Sequence, residues 1–181
     1  EAGRPRPGPG EALVRVHAAA ITRNELQWPV DRLPAIPSYE LAGVVEEAGA
    51  GVVGVGPGDD VFALTPFDRD GVAADYAVVP ADVLAARPRS LNRAESAAIP
   101  MPTLTAWQGL FDHGRLAAGE RVLIHGAAGA VGGLAVQLAR TRDAYVIGSA
   151  RAADQGLVRE LGAQEAVDAA TSFEDAMEPV D

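Results

Sequence analysis

The sequence predicts an α/β chain in which a β-rich unit of barrel or sandwich type precedes the first half of a doubly wound parallel sheet. Three observations carry this. Before residue 92, short apolar runs alternate with Gly- and Pro-rich turns such as Gly54-Val55-Gly56-Pro57-Gly58. After it, apolar runs and helical stretches follow one another as strand, helix, strand, helix, strand. A glycine-rich turn joins the first strand and helix of that second series.

In Ala12-Leu13-Val14-Arg15-Val16-His17 one face is apolar and the other carries Leu13, Arg15 and His17, as in a half-buried strand. Leu41–Glu47, Val61–Leu64 and Ala74–Val79 read as further strands. Asn92 followed by Glu95 has the form of a helix cap with its reciprocal acid. Pro100 and Pro102 interrupt, and Thr103 to His113 reads as a second helix closed by Gly114. Arg121–His125 is a short strand and Val131–Arg142 a helix, with Ala144–Gly148, Asp154–Leu161 and Glu165–Asp168 as the next strand, helix and strand. Arg87–Leu91 is the best dividing point, giving parts 1–91 and 92–181.

Composition narrows the chemistry. With 181 residues, 48% of them hydrophobic, the chain can bury an ordinary core. No run of 18 apolar residues occurs, and the Pro/Gly-rich start has no signal-peptide pattern, so no membrane partner and a cytoplasmic location are expected. The net charge of −10 and the scattered cations offer no basic stripe, so nucleic acid is not an expected partner. There is no cysteine, and His17, His113 and His125 lie far apart, so no metal site of the Cys/His kind is expected. All 15 basic residues are arginine, which excludes a Schiff-base lysine and leaves Arg, backbone N–H groups and hydroxyls to meet a phosphate.

The segment HGAAGAVGG follows a strand and opens a helix, the context that gives a glycine pattern meaning. Gly129 would let the backbone approach a pyrophosphate, and Gly132 would let the helix pack closely on the sheet. The helix N-terminus would turn its unpaired N–H groups and positive dipole end toward the phosphates. A dinucleotide fold that selects NAD places Asp or Glu about 20 residues beyond the turn, on the ribose hydroxyls. Here that region is Ile147-Gly148-Ser149-Ala150-Arg151 and has no acid. Ser149 and Arg151 could instead bind a 2′-phosphate, so NADP(H) is the expected cofactor.

RPRPGPGEALVRVHAAAITRNEL, YELAGVVEEAGAGVVGVGPGDDVFAL, GVAADYAVVPADVLAARP, LTAWQGLF, GERVLIHGAAGAVGGLAVQLAR and VRELGAQEAVD follow one another along nearly the whole chain. In this order they resemble the zinc-independent quinone oxidoreductase branch of the medium-chain dehydrogenase/reductase superfamily. The resemblance implies a GroES-like β domain followed by a Rossmann doubly wound parallel sheet, with the chain stopping after three strands at Pro179-Val180-Asp181. It also implies a homodimeric parent, and a fragment that is poorly active and prone to associate through its open sheet edge.

The departures from the zinc-dependent relatives are specific. Ile21-Thr22-Arg23-Asn24-Glu25 stands where those carry a cysteine ligand, and Tyr39-Glu40 where they carry a His-Glu pair. The AxGxxG turn stands here as Ala127-Ala128-Gly129-Ala130-Val131-Gly132, the expected cofactor-binding residues together with Ser149 and Arg151. Asp143 occupies the place of a helix-ending glycine, where a left-handed conformation is expected, and Ala169 replaces a tyrosine of the 2′-phosphate pocket.

Without a metal, hydride addition to a quinone or conjugated enone is the expected chemistry, because the developing charge spreads over an enolate-like system. The resemblance offers Tyr39, Asn24 and Thr105 as catalytic residues: Tyr39 as a hydroxyl donor, Asn24 near substrate and nicotinamide, and Thr105 toward the carboxamide. Each has a structural alternative: a ring filling the vacated metal site, a turn-stabilising Asn, and a hydroxyl bonding within its own helix. Trp28 and Phe67 would line a flat apolar pocket or simply fill core; Trp107 is expected in the core, Glu40 in a structural role, His17 facing solvent and His125 packed near the nucleotide. Two other functions fit the residues. One is an enoyl reductase acting on acyl-carrier or coenzyme A thioesters, and the other a non-catalytic NADP-binding protein.

Overall fold

The computed structural model describes residues 3–29, 35–171 and 180, and the chain divides into two compact units, Glu1–Met101 and Pro102–Asp181.

In the first unit, β1 (Glu11–Ala20), β2 (Glu40–Ala48), β3 (Asp60–Leu64), β4 (Tyr76–Pro80) and β5 (Ala85–Ala86) form one antiparallel sheet in the order β4-β1-β2-β3-β5. Ala12, Val14, Leu41, Val45, Val61, Val72, Ala77 and Val79 make its core. β1 is longer than its alternation suggests, and register shifts at Leu13/Val14 and Val16/Ala18 break the strict period of two. Leu13, expected on the polar face, is 1% exposed. That face is not simply solvated, because α1 (Arg93–Ala97) packs on β1 and β2 and buries Ser96 and Ala97.

α1 therefore belongs with the sheet, and the boundary between the units falls at Met101 instead of Leu91. Its start is as the sequence indicates. The Asn92 side chain accepts from the Glu95 N–H at 2.9 Å and Glu95 Oε2 accepts from the Asn92 N–H at 2.8 Å. β5 leaves no sequence signal, being two alanines that pair with Val61 and Phe62.

In the second unit, β6 (Arg121–His125), β7 (Tyr145–Ala150) and β8 (Glu165–Asp168) form a parallel sheet in that order. They alternate with α3 (Ala130–Arg140) and α4 (Gln155–Glu160), as the sequence predicts. α2 (Pro100–Trp107) starts earlier than expected. Pro100 and Pro102 open the helix, because first-turn N–H groups have no intrahelical partner to lose. The helix then widens into a π-helical turn over Gln108–His113, where the Gly114 N–H donates to the Gly109 carbonyl at 2.9 Å. Asp143 has φ +58°, the left-handed conformation anticipated for it.

The core of this unit gathers Val136 and Ala139 of α3, Val146 of β7 and Val158 of α4. Trp107 does not belong to it. It is 39% exposed, edge-to-face with Phe111 at 4.8 Å, and the Arg142 guanidinium lies over both rings. An indole on the outer turn of a helix is satisfied by a ring and a cation as well as by burial.

Candidate functional site

The glycine turn starts where β6 ends. Gly126 takes φ +64°, and its carbonyl accepts from the Gly129 N–H at 2.8 Å. Ala127 donates to the Ser149 carbonyl at 2.9 Å, which pins the turn to β7. Gly129 caps α3 with extended dihedrals, and no acid occupies the helix's first turn.

The turn's residues divide by exposure. Ala127 is wholly buried, whereas Gly129, Ala130 and Val131 face solvent at the helix start. Gly132 is fixed by contact, since a Cβ there would collide with the Gly126 carbonyl oxygen and lie 2.9 Å from Ala127 Cα. The first N–H groups of α3 thus stand over an open, acid-free cradle. This is the arrangement a pyrophosphate requires, so the residues present fit a dinucleotide.

The end of β7 differs from the sequence expectation. Ser149 is 1% exposed, and its hydroxyl lies 3.1 Å from His125 Nδ1, paired across the parallel strands. Its hydroxyl thus has a partner inside the fold. Arg151 does reach solvent, but its Nε and Nη2 both lie 2.9 Å from Asp154 Oδ2. Thr105 is exposed on α2. Two residues earlier, Thr103 Oγ1 is buried with no hydrogen-bond partner among the described residues, a feature with no sequence signal.

In the first unit, residues from three separate segments meet. The Tyr39 ring stacks on Trp28 at 6.3 Å and 20°, and tilts against Phe67 at 4.7 Å, while Trp28 and Phe67 are 6.2 Å apart. Trp28 and Phe67 are 38% and 54% exposed, so they are not core, and the half-buried Tyr39 joins them in an aromatic platform. Asn24 is exposed and left-handed at φ +67°, opening the turn Glu25–Gln27. Its carbonyl accepts from the Gln27 N–H at 2.9 Å and its side chain makes no cap bond, which leaves the amide to other partners.

The segments that carry Trp28 and Tyr39 are joined by a buried polar network that the sequence did not reveal. Glu25, 6% exposed, accepts the Thr22 N–H at 2.8 Å on one oxygen and the Ser38 N–H on the other. Ser38 is wholly buried at φ +72°, and its hydroxyl donates to the Ala20 carbonyl at 2.7 Å. Tyr39 is held from its other side, its carbonyl accepting from the Thr65 N–H at 2.7 Å and the Thr65 hydroxyl at 3.0 Å.

Glu40, 3% exposed, accepts the Met101 N–H at 2.8 Å. Burial pushes its carboxyl above the ordinary glutamate range, the Met101 N–H opposes that, and neighbouring Glu25 adds to it. A raised folded value stabilises below the unfolded one and loses that contribution as pH rises through the folded value. Glu40→Gln keeps the acceptor for Met101 but has no charge to bury. It should therefore gain stability over the parent as pH is raised from 4 to 7.5, and a constant difference across urea titrations at the two pH values would count against this.

Among the described residues no group of three or more His, Cys, Asp or Glu side chains is placed to hold a metal ion, and no helix is long and apolar enough to cross a membrane.

Comparison with known proteins follows the two-unit pattern. Residues 8–89 match the alcohol dehydrogenase GroES-like domain. The chain is 36% identical to a probable zinc-binding mitochondrial oxidoreductase of Arthroderma benhamiae, over 93% of this chain and 56% of that protein. It is 34% identical to a chloroplastic quinone-oxidoreductase homolog of Spinacia oleracea, over 93% of this chain and 55% of that one. A crystal structure of an alcohol dehydrogenase superfamily protein from Novosphingobium aromaticivorans superposes with a TM-score of 0.90 at 36% identity, covering 97% of this chain and 56% of the other. The chain spans about half the length of the curated relatives it matches. With its GroES-like first unit and its glycine-turn parallel sheet in the second, the chain belongs to the medium-chain dehydrogenase/reductase superfamily.

Proposed function

We propose that this chain serves an NADPH-dependent oxidoreductase that reduces a quinone or conjugated enone without a metal. The observation that carries the reading is the cradle at the start of α3, where Gly132 leaves no room for a Cβ and the solvent-facing residues include no acid. Relatives named as oxidoreductases, one of them a quinone-oxidoreductase homolog, support it.

When bound, the reduced nicotinamide supplies the hydride. The chain's own residues then have separable tasks. The backbone N–H groups of α3 hold the pyrophosphate, and Arg151 meets the 2′-phosphate. Trp28, Tyr39 and Phe67 offer flat apolar surface to a planar substrate. The Tyr39 hydroxyl makes no hydrogen bond among the described residues, so it remains available to donate to the substrate oxygen as negative charge develops there, with solvent as the final proton source. Asn24 contributes its side-chain amide to the substrate, and Thr105 its hydroxyl to the carboxamide.

The test is to add NADPH or NADH to the full-length parent and to its Arg151→Ala variant, follow nicotinamide fluorescence, and then supply a quinone, an enone or an enoyl thioester. The expected result is tighter binding of NADPH than NADH, loss of that preference in the variant, and oxidation with quinone or enone that chelator does not suppress. Oxidation with the enoyl thioester alone would transfer the assignment to an enoyl reductase. Binding without oxidation by any acceptor would mark a non-catalytic nucleotide-binding protein.

A further inference from the structure

We infer that Asp154 limits this chain's preference for NADPH by engaging Arg151 and opposing a 2′-phosphate; the inference rests on the dinucleotide reading above. Arg151 is the first residue after β7, and its side chain is 86% exposed. Its Nε and Nη2 both reach Asp154 Oδ2 at 2.9 Å, so a single carboxylate oxygen takes donors from two of its nitrogens. The turn Ala152–Asp154 fixes the spacing, the Asp154 N–H donating to the Arg151 carbonyl at 2.8 Å.

Asp154 is placed like a helix cap before α4, yet its side chain bonds no backbone N–H there. Its carboxylate is directed to Arg151. Ser149, on the strand itself, is buried with its hydroxyl paired with His125.

These facts alter what the strand end recognises. Read along the sequence, β7 ends without the acid of an NAD-type fold and with an arginine suited to phosphate. In the structure, the turn after the strand sets an acid, Asp154, against that arginine. A 2′-phosphate must take Arg151 from Asp154 or share the guanidinium, with a carboxylate one guanidinium width away. Like charges at that separation near the surface, partly screened by salt, weaken binding by about fivefold. The 2′-hydroxyl of NADH carries no such charge, so it does not incur the penalty.

The experiment compares NADPH and NADH titrations of the chain with those of Asp154→Asn and Asp154→Ser, both of which remove the charge and suit a helix start. NADPH is expected to bind about fivefold more tightly to both variants, with NADH affinity unchanged. A 2′,5′-ADP titration should gain by the same factor, and 5′-AMP should not. Equal gains for NADPH and NADH, or no gain for NADPH, would overturn the role of Asp154 while leaving the dinucleotide reading standing. Failure of the unmodified chain to bind either cofactor would overturn both.

Discussion

Replacing Gly132 with alanine is expected to destabilise the second unit by about 3 kcal/mol and to remove measurable dinucleotide binding, because the methyl group has no space to enter. Its Cβ would strike the Gly126 carbonyl oxygen and lie 2.8 Å from the Gly126 carbonyl carbon. Relief requires the start of α3 to move off the turn, and that movement disperses the N–H groups that form the anion cradle. Gly129→Ala provides the contrast. Gly129 has φ −82°, and a Cβ there meets only the Gly126 oxygen at 3.2 Å, so the fold should survive. The added methyl would still stand at the helix cap where a phosphate approaches, so affinity should fall by about tenfold, or 1.4 kcal/mol, with little loss of stability. Thermal unfolding paired with fluorescence titration separates the two. If Gly132→Ala unfolds and binds like the parent, the cradle is not built as described.

Glu25→Ala should be the most damaging change in the first unit, at about 2–5 kcal/mol, since it leaves two backbone donors, Thr22 N–H and Ser38 N–H, without their acceptor. Such a loss is comparable with the whole stability of many domains, about 5–15 kcal/mol. Glu25→Gln is a milder probe. One oxygen remains an acceptor, while the new amide faces a backbone N–H, so about half the loss is expected. The turn that holds Glu25 also positions Trp28, whose N–H donates to the Glu25 carbonyl at 3.0 Å, and Ser38 directly precedes Tyr39. The platform should therefore loosen with the network. Trp28 fluorescence should shift in Glu25→Gln under native conditions, read in a Trp107→Phe background so that one tryptophan reports. A denaturation midpoint unchanged in Glu25→Ala would show that the two hydrogen bonds contribute nothing.

Much of the fold was legible because its signals are local. Whereas the left-handed site at Asp143 was implied by the family resemblance, the alternation of strands and helices after residue 120 and the Asn92–Glu95 cap depend on residues within a few positions of one another. The same holds for the glycine turn, whose meaning comes from the strand before it and the helix after it. Where sequence reading erred, distant neighbours decided. Leu13 faces an apparently polar side but is buried, on a strand that α1 covers. Trp107 is large and aromatic but lies at the surface with Phe111 and Arg142. Gly148 carries no such signal in the sequence, yet a Cβ there would collide with Val158 of α4 and lie 2.8 Å from Ala127 Cβ.

The candidate site divides along the same line. Residue type and spacing determined the glycine turn and the lack of cysteine ligands, and the order of the segments carried the resemblance to the family, since all of these are properties carried along the chain. Only the tertiary structure decided what surrounds each of the chosen side chains. It buried Ser149 against His125, bound Arg151 to Asp154, and gathered Trp28, Tyr39 and Phe67 into one platform. The physical reason is that availability is not a property of a residue type. A hydroxyl, a guanidinium or a ring is free for a ligand only to the extent that its neighbours in space leave its hydrogen bonds, charge and surface unoccupied.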